Sequence, residues 1–176
     1  MEITFRKLSV HESLIYRSIR FECLQQFPAY FGSTFEEENA SEKLIFEKYI
    51  EEKNPDHFMC GAFDDSLLIG ICGFDRQARN KTKHRGEIVQ MYVKAEYANK
   101  KVGARLLITA INSAFANPEI DQITLSFVEG NERAKTLYEK LGFVQYGKIN
   151  NYFKSKDFNS NQCFMMLERS ELAGTI

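Results

Sequence analysis

Seven parts of the chain have the short apolar runs or the alternation of apolar residues that predict β-strands. These predicted strands are residues 3–7, 58–63, 67–74, 88–93, 123–128, 143–153 and 163–167. The runs at 58–63 and 67–74 flank the turn-forming residues 64–66, which predicts an antiparallel hairpin. A polar segment at 75–85 predicts a long loop before the fourth strand.

Helices are predicted where apolar residues recur every three or four positions. The first carries Ile15 and ends before Pro28, and the second is capped by Ser41 and stops at residues 54–55. Two more follow the strands 88–93 and 123–128, with an apolar face at 106–115 and a helix at 131–141. The tail from Glu168 is expected to fray. Hairpins combined with strand-helix-strand units predict one α/β domain over residues 1–176, a mixed sheet with helices on both faces.

Charge and cysteine usage exclude several classes of protein. The 23 Lys and Arg residues are balanced by 24 Asp and Glu residues, so no positive field is available to bind nucleic acid or an anionic membrane. No segment reads as a membrane span or an export signal. Four separated cysteines in apolar stretches predict reduced core thiols, as in a cytoplasmic protein. Three histidines without ligand spacing predict no metal site.

The segment 91–107 reads as a strand, a loop and a helix. The first turn of a helix has unpaired N–H groups and the positive end of the helix dipole, which together hold anions. Gly103 would let a phosphate approach the backbone closely. The segment therefore predicts a phosphate site, although a glycine in such a turn also occurs for purely conformational reasons.

A second segment, residues 128–143, follows the other central strand. Asn131 is suited to cap the helix that begins there. Seven residues make nearly two turns, so Tyr138 lies on the same helix face about 10 Å further along the axis. One ligand could contact both side chains. The alternative is that Asn131 only caps the helix and Tyr138 only packs beside Ala134.

Together these segments resemble the GNAT acetyltransferase superfamily over about residues 87–143. The family's pyrophosphate loop, an Arg or Gln, two variable residues, a Gly, one variable residue and a Gly or Ala, falls here on Ala98 to Gly103. Ala98 replaces the usual Arg or Gln and Lys101 replaces a Gly, while Lys100 and Lys101 can supply positive charge instead. The family's second pattern is matched at every position: Asn131, Ala134, Leu137, Tyr138, Gly142 and Phe143.

The resemblance implies a GNAT-type fold with CoA in a gap between two splayed central strands, here 88–93 and 123–128. It implies acetyl-CoA as cosubstrate and needs no metal. Backbone near Met91 is expected to pair with the pantetheine arm, and an N–H there to polarise the thioester carbonyl. The expected contacts with the cosubstrate are Met91, Tyr92, Val93, Ala98, Asn99, Lys100, Lys101, Val102, Gly103, Ala104, Asn131, Ala134 and Tyr138.

Acetyl transfer to an amine needs two proton transfers, one from an amine of pKa ~10 and one to a thiolate of pKa ~8.5. Tyr138 is the predicted general acid, because it matches the family position whose hydroxyl meets the CoA sulfur. Glu87 opens the central strand, where alternation places it on one side with Val89 and Met91. Glu87 is the predicted general base, and a water chain is the alternative.

The predicted acceptor is a primary amine of a small molecule. The balanced net charge does not favour binding of nucleic acid, and the aromatic loop 27–35 favours a small pocket. That loop, the first two helices and residues 150–161 are expected to set the acceptor. Glu22 is another carboxylate that could orient an amine, but beside Arg20 it is expected to form surface pairs. A protein N-terminal acetyltransferase and a non-catalytic CoA-binding regulatory protein are the alternatives. A homodimer also stays open.

Overall fold

The computed structural model describes residues 2–98, 100–155 and 158–172. Its strands are β1 Ile3–Lys7, β2 His57–Asp64, β3 Leu67–Arg76, β4 Arg85–Val93, β5 Gln122–Val128, β6 Val144–Lys154 and β7 Asn159–Glu168. Its α-helices are α1 Ser13–Gln26, α2 Phe35–Asn39, α3 Ile45–Glu51, α4 Val102–Phe115, α5 Glu132–Lys140 and α6 Arg169–Leu172. All seven predicted strands are present, which confirms the α/β class.

The strands form one sheet in the order β1-β2-β3-β4-β5-β7-β6. Neighbours are antiparallel except β4 and β5, which are parallel. α4 connects these two strands, because parallel strands cannot be joined by a tight turn. The predicted mixed sheet is confirmed, and so is the hairpin of β2 and β3.

Helices cover both faces of the sheet, as predicted, and each face has its own core. On one side, which we call the α1 face, α1 and α3 contribute Tyr16 and Ile50. On the other, which we call the α4 face, α4 contributes Leu106 and Ala110, and α5 adds Tyr138. A ligand that contacts both faces must therefore pass through the sheet.

The second helical region differs from the prediction. Ser41 does not cap α3, because its hydroxyl donates backwards to the Glu37 carbonyl oxygen at 3.3 Å. α3 begins after Leu44, whose N–H donates to the Glu47 carboxylate at 2.6 Å. The unpredicted helix α2 starts at the cap Thr34, whose hydroxyl accepts a hydrogen bond from the Glu37 N–H at 3.2 Å. Side-chain caps thus form a helix before the predicted one and move the start of the predicted helix from Ser41 to Ile45.

The prediction of a frayed tail from Glu168 is wrong for residues 169–172, which form α6. The Arg169 guanidinium donates to the carbonyl oxygens of Phe115 and Ile120, both at 2.8 Å. Carbonyl groups at the C-terminal end of a helix have no partner within it, so the arginine satisfies groups that α4 leaves open. Residues 173–176 lie outside the described residues.

The cysteines Cys23, Cys60, Cys72 and Cys163 are buried and form no disulfide, which confirms the prediction of core thiols. They pack as small apolar side chains. In the part of the chain that the structure describes, no helix combines the length and apolarity that crossing a membrane requires.

Candidate active site

The sheet is split between β4 and β5, as the resemblance implied. Within the described chain the two strands pair only where residues 85–87 meet residues 122–124, and they separate beyond that point. The separation opens a cavity of about 530 Å³. Tyr138 lines it from the α4 face and Val89 from the α1 face. Two reactants can therefore meet here from opposite faces of the sheet.

β4 carries an extra residue beside this cavity. The register between β3 and β4 shifts between Ile71 and Gly73, which makes Gln90 the bulged residue. Gln90 has a left-handed backbone conformation with φ 54°. Its amide oxygen accepts a hydrogen bond from the Tyr16 hydroxyl at 2.9 Å. Because Tyr16 is fully buried in α1, this bond holds the bulge in one conformation.

The bulge places Met91 on the other side of the strand from Glu87. Glu87 and Val89 keep regular alternation, and Val89 packs on the α1 face. Met91 and Val93 pack on the α4 face. The prediction that Glu87 shares a side with Met91 is therefore wrong, because an inserted residue reverses the alternation.

Glu87 belongs to a row of polar residues that crosses four strands. His57, Asp75, Glu87 and Thr124 are direct neighbours on β2, β3, β4 and β5. His57 Nδ1 and an Asp75 carboxylate oxygen are hydrogen-bonded. Burial raises the pKa of Glu87, and the negative charge of Asp75 raises it further, so Glu87 is a stronger base than an ordinary carboxylate. Among the described residues, no group of three or more His, Cys, Asp or Glu is placed to hold a metal ion.

Tyr138 points into the cavity from α5 and is 6% exposed. Its ring packs against Phe127 and Phe143, with centroid distances of 5.9 and 6.1 Å. Its hydroxyl forms no hydrogen bond with the residues described. Burial raises the pKa of this phenol, so it stays protonated at neutral pH. Tyr138 can therefore give a proton to a group bound in the cavity.

Asn131 and Ala134 line the same cavity as Tyr138. The Asn131 side-chain oxygen accepts a hydrogen bond from the Ala134 N–H at 3.1 Å, which caps α5. The Asn131 side chain thus both caps α5 and lines the cavity. Three residues predicted from the second motif are brought together, and Met91, Tyr92 and Val93 line the cavity from β4.

The predicted phosphate loop leads into α4. Lys101 is the residue before the helix and has φ 60° and ψ 10°, a left-handed conformation that glycine adopts at little steric cost. The Arg105 N–H donates to the Lys101 carbonyl oxygen at 3.2 Å. The N–H groups of Val102, Gly103 and Ala104 therefore precede the hydrogen bonds of the helix and are placed to hold an anion.

Gly103 leaves room beside the cavity. A Cβ at this position would lie 3.5 Å from the Met91 side chain and 3.7 Å from that of Leu137, which are ordinary contacts. Packing of the protein does not itself require glycine here, so the missing side chain fits the close approach of a pyrophosphate to the backbone. The residues of the start of α4 thus fit a CoA molecule that continues along Met91 into the gap.

The rest of this loop lies at the surface. The Lys100 ammonium lies 4.9 Å from the centroid of the Tyr97 ring, a cation–π contact. Ala98 and residues 100–104 do not line the cavity itself. The β4 residues Met91 and Val93, whose side chains lie next to Gly103, do line it. Asn99, also predicted to bind the cosubstrate, lies outside the described residues.

Aromatic rings surround the cavity on the α1 face. They come from the loop after α1 and from β6, and are Phe27, Tyr30, Phe31, Tyr152 and Phe153. The loop and the strand touch, since a Cβ on Gly32 would lie 3.2 Å from the Phe153 ring. The two segments expected to shape the acceptor side therefore meet at one rim.

Glu22 does not line this cavity. Its carboxylate accepts a hydrogen bond from the Tyr92 hydroxyl at 2.8 Å and forms an ion pair with Lys94. Glu22 thus forms an ion pair, as expected, and its partner is Lys94. Arg20 is 2% exposed and pairs with Glu38 at 2.5 Å, because it points inward from α1.

The polar residues of the cavity that escaped prediction include Gln90, Ser126, Arg133 and Gln162. Gln162 could have been found, because alternation along β7 places it opposite the buried Cys163. The predicted strand began one residue too late to include it. No local signal in the sequence marks the bulge at Gln90, whose position depends on the register with β3.

A mixed sheet split between parallel central strands, with a helix N-terminus beside the split and a buried tyrosine facing into it, defines acyltransferases that use a CoA thioester. The Acetyltransferase (GNAT) family matches residues 20–143, and the chain belongs to this family. It is an acetyl-CoA-dependent N-acetyltransferase.

Known proteins support this assignment. The chain is 32% identical over 116 residues to spermidine N(1)-acetyltransferase from Thermoplasma acidophilum, across 62% of this chain and 69% of the relative. A GNAT acetyltransferase from Streptococcus pneumoniae has a TM-score of 0.83 at 17% identity, over 95% of this chain and 99% of the other. The yncA protein of Salmonella typhimurium, solved with its cofactor acetyl-CoA, has a TM-score of 0.77 at 14% identity, over 96% and 94%. These structures show a shared fold.

Proposed function

We propose that this protein transfers the acetyl group of acetyl-CoA to a primary amine of a small molecule. The observation that carries the proposal is the division of chemical groups between the two faces of the gap. Tyr138 and the start of α4 lie on the α4 face, and Glu87 points to the α1 face. The similarity to a spermidine acetyltransferase supports a small amine as acceptor.

The cosubstrate side is formed by backbone groups. The N–H groups at residues 102–104 would hold the pyrophosphate. Beyond Glu87, the edge of β4 that faces β5 has no partner in that strand and would pair with the pantetheine arm. Bound acetyl-CoA supplies the thioester, and every other step belongs to residues of this chain.

Glu87 prepares the amine. An amine of pKa ~10 is mostly protonated at neutral pH and must lose a proton before it attacks. Glu87 accepts that proton, directly or through one water, and its raised pKa makes it better suited to do so. Its place at the floor of the gap puts it beside the point where an amine from the α1 face reaches the thioester.

Tyr138 completes the transfer. The neutral amine nitrogen forms a bond to the carbonyl carbon, the bond from that carbon to sulfur breaks, and the departing thiolate takes the hydroxyl proton of Tyr138. The proton that the bonded nitrogen still has to lose returns to the Tyr138 oxygen through water. An N–H near the bulge at Gln90 would hold the negative charge on the carbonyl oxygen. Tyr138 suits this role because its hydroxyl has no partner among the described residues and stays protonated.

A panel of amines incubated with acetyl-CoA, with free thiol as the readout, tests the function. Spermidine, amino acids, simple diamines and peptides with a free N-terminus belong in the panel. Acetylation of small amines is the expected result. Acetylation of peptides alone would replace the proposal with a protein N-terminal acetyltransferase. Binding of acetyl-CoA without thiol release for any amine would indicate a regulatory protein.

Tyr138→Phe tests the mechanism. Positioned proton transfer accelerates a reaction ~10²–10⁴-fold, so kcat should fall by a factor that approaches this range. The melting temperature should change little, because the substitution removes a hydroxyl that makes no described hydrogen bond. Tyr146→Phe, on the exposed part of β6, is the matched control and should be silent. Unchanged rates for Tyr138→Phe in both steady-state and single-turnover assays would reject the assignment.

A further inference from the structure

Gln162 of β7 presents an unpartnered oxygen beside the cavity. Its side chain is 5% exposed and lines the cavity. Its Nε2 donates to Ser126 Oγ at 2.9 Å. Its Oε1 is buried and accepts no hydrogen bond from any residue that the structure describes. Buried polar groups in folded proteins are nearly always paired, so this oxygen is placed for a donor that a ligand supplies.

Gln162 lies on the same face of the sheet as Glu87. Glu87 pairs with Thr124 on β5, and Ser126, which contacts the Gln162 amide, is two residues further along that strand. Alternate residues of a strand share a face and each residue advances the strand by about 3.3 Å, so the amide lies about 7 Å beyond Glu87 along β5. The carboxylate and the amide therefore line the same cavity on the same face of the sheet, at different points along it.

Two oxygen acceptors are available on this side of the cavity. Arg20 also lines the cavity, but its guanidinium is paired with Glu38. The Glu87 carboxylate and Gln162 Oε1 supply acceptor oxygens, Ser33, Ser126 and Arg133 also line the cavity, and aromatic rings form the rim. A surface with oxygen acceptors at its base suits a ligand that brings N–H donors.

We propose that Gln162 Oε1 accepts a hydrogen bond from the attacking nitrogen of the acceptor amine. Gln162 is then a substrate-binding residue that orients this nitrogen before transfer, while Glu87 reaches it through one water. The inference rests on the proposed function and adds a residue that determines how well the amine binds. Gln162 lies on the face opposite to Tyr138, so it should not affect the cosubstrate.

Gln162→Met and Gln162→Glu test this role with the best amine of the panel. Methionine keeps the length of the side chain but accepts no comparable hydrogen bond, so kcat/KM for the amine should fall at least 10-fold. The KM for acetyl-CoA should stay near the wild-type value, and the melting temperature should fall only slightly, because the hydrogen bond to Ser126 Oγ is lost. Glutamate keeps two acceptor oxygens, so Gln162→Glu should retain more kcat/KM for the amine than Gln162→Met. Gln145→Met, on the exposed part of β6, is the matched control and should be silent.

The outcomes separate this inference from the proposed function. An active wild type with a silent Gln162→Met overturns the inference alone. Equal losses for the amine and for acetyl-CoA overturn it too, because they indicate a structural role. If Gln162→Glu is worse than Gln162→Met, the amide presents its N–H groups and not its oxygen. A wild type that acetylates no amine overturns the proposed function and this inference with it.

Discussion

Lys101 occupies a backbone conformation that its side chain makes costly. It has φ 60° at the start of α4, where the family usually has glycine. Its Cβ also stands where a phosphate would approach the backbone. We therefore expect Lys101→Gly to relieve strain and to bring the N–H groups of the helix start closer to the pyrophosphate, at the cost of one positive charge.

The change in stability on Lys101→Gly follows from two opposing contributions to the free energy of unfolding. The left-handed conformation costs a residue with a Cβ roughly 1–2 kcal/mol. Glycine loses about 0.5–1 kcal/mol more chain entropy on folding. The balance favours the glycine variant by about 0.5–1 kcal/mol. For a chain of 176 residues, each kcal/mol moves the melting temperature by about 2–4 °C, so Lys101→Gly should raise it by about 1–4 °C.

Thermal denaturation and acetyl-CoA titration of three variants test this reasoning. Lys101→Ala removes the same charge but keeps a Cβ, so it should be less stable than Lys101→Gly and bind acetyl-CoA less tightly. Lys53→Gly is the distant control: Lys53 has φ 52° after α3 and is exposed, so it should gain stability without any change in acetyl-CoA affinity. A Lys101→Gly protein no more stable than Lys101→Ala would refute the argument.

Three further predictions concern the gap and the row of polar residues. Because burial raises the pKa of Glu87 in the folded state, the fold loses stability as pH rises through that pKa. Glu87→Gln should therefore raise the melting temperature at neutral pH, with no gain well below pH ~4, and should lower kcat/KM for the amine. An unchanged rate would exclude Glu87 as base. Asp75→Asn removes a charge that raises the pKa of Glu87, so the acid limb of the kcat/KM profile should move to lower pH, and an unmoved limb would contradict the coupling. Acetyl-CoA about 100-fold above its Kd should stabilise the protein by roughly 2.7 kcal/mol, and the absence of a thermal shift at millimolar acetyl-CoA would contradict the predicted site.

Local features of the fold could be predicted when neighbouring residues alone determine them. The hairpin of β2 and β3 and the helix after Asn131 follow from turn composition, capping and apolar period over short stretches. Ser41 does not cap α3 because its hydroxyl donates to the Glu37 carbonyl oxygen, while the Glu47 carboxylate accepts the Leu44 N–H at the actual start of the helix. The prediction of a frayed tail is wrong for a different reason. The Arg169 guanidinium donates to a carbonyl oxygen at the end of α4, which is distant in the sequence.

The sequence by itself determined the class of protein and the two motifs, because a helix start and a shared helix face depend on residues within two turns of each other. The tertiary structure alone decided what surrounds the reacting atoms. The bulge at Gln90, the row from His57 to Thr124 and the open oxygen of Gln162 all depend on which residues of separate strands lie side by side. Register between distant strands is set by the packing of both faces of the sheet, and one inserted residue reverses every side chain beyond it.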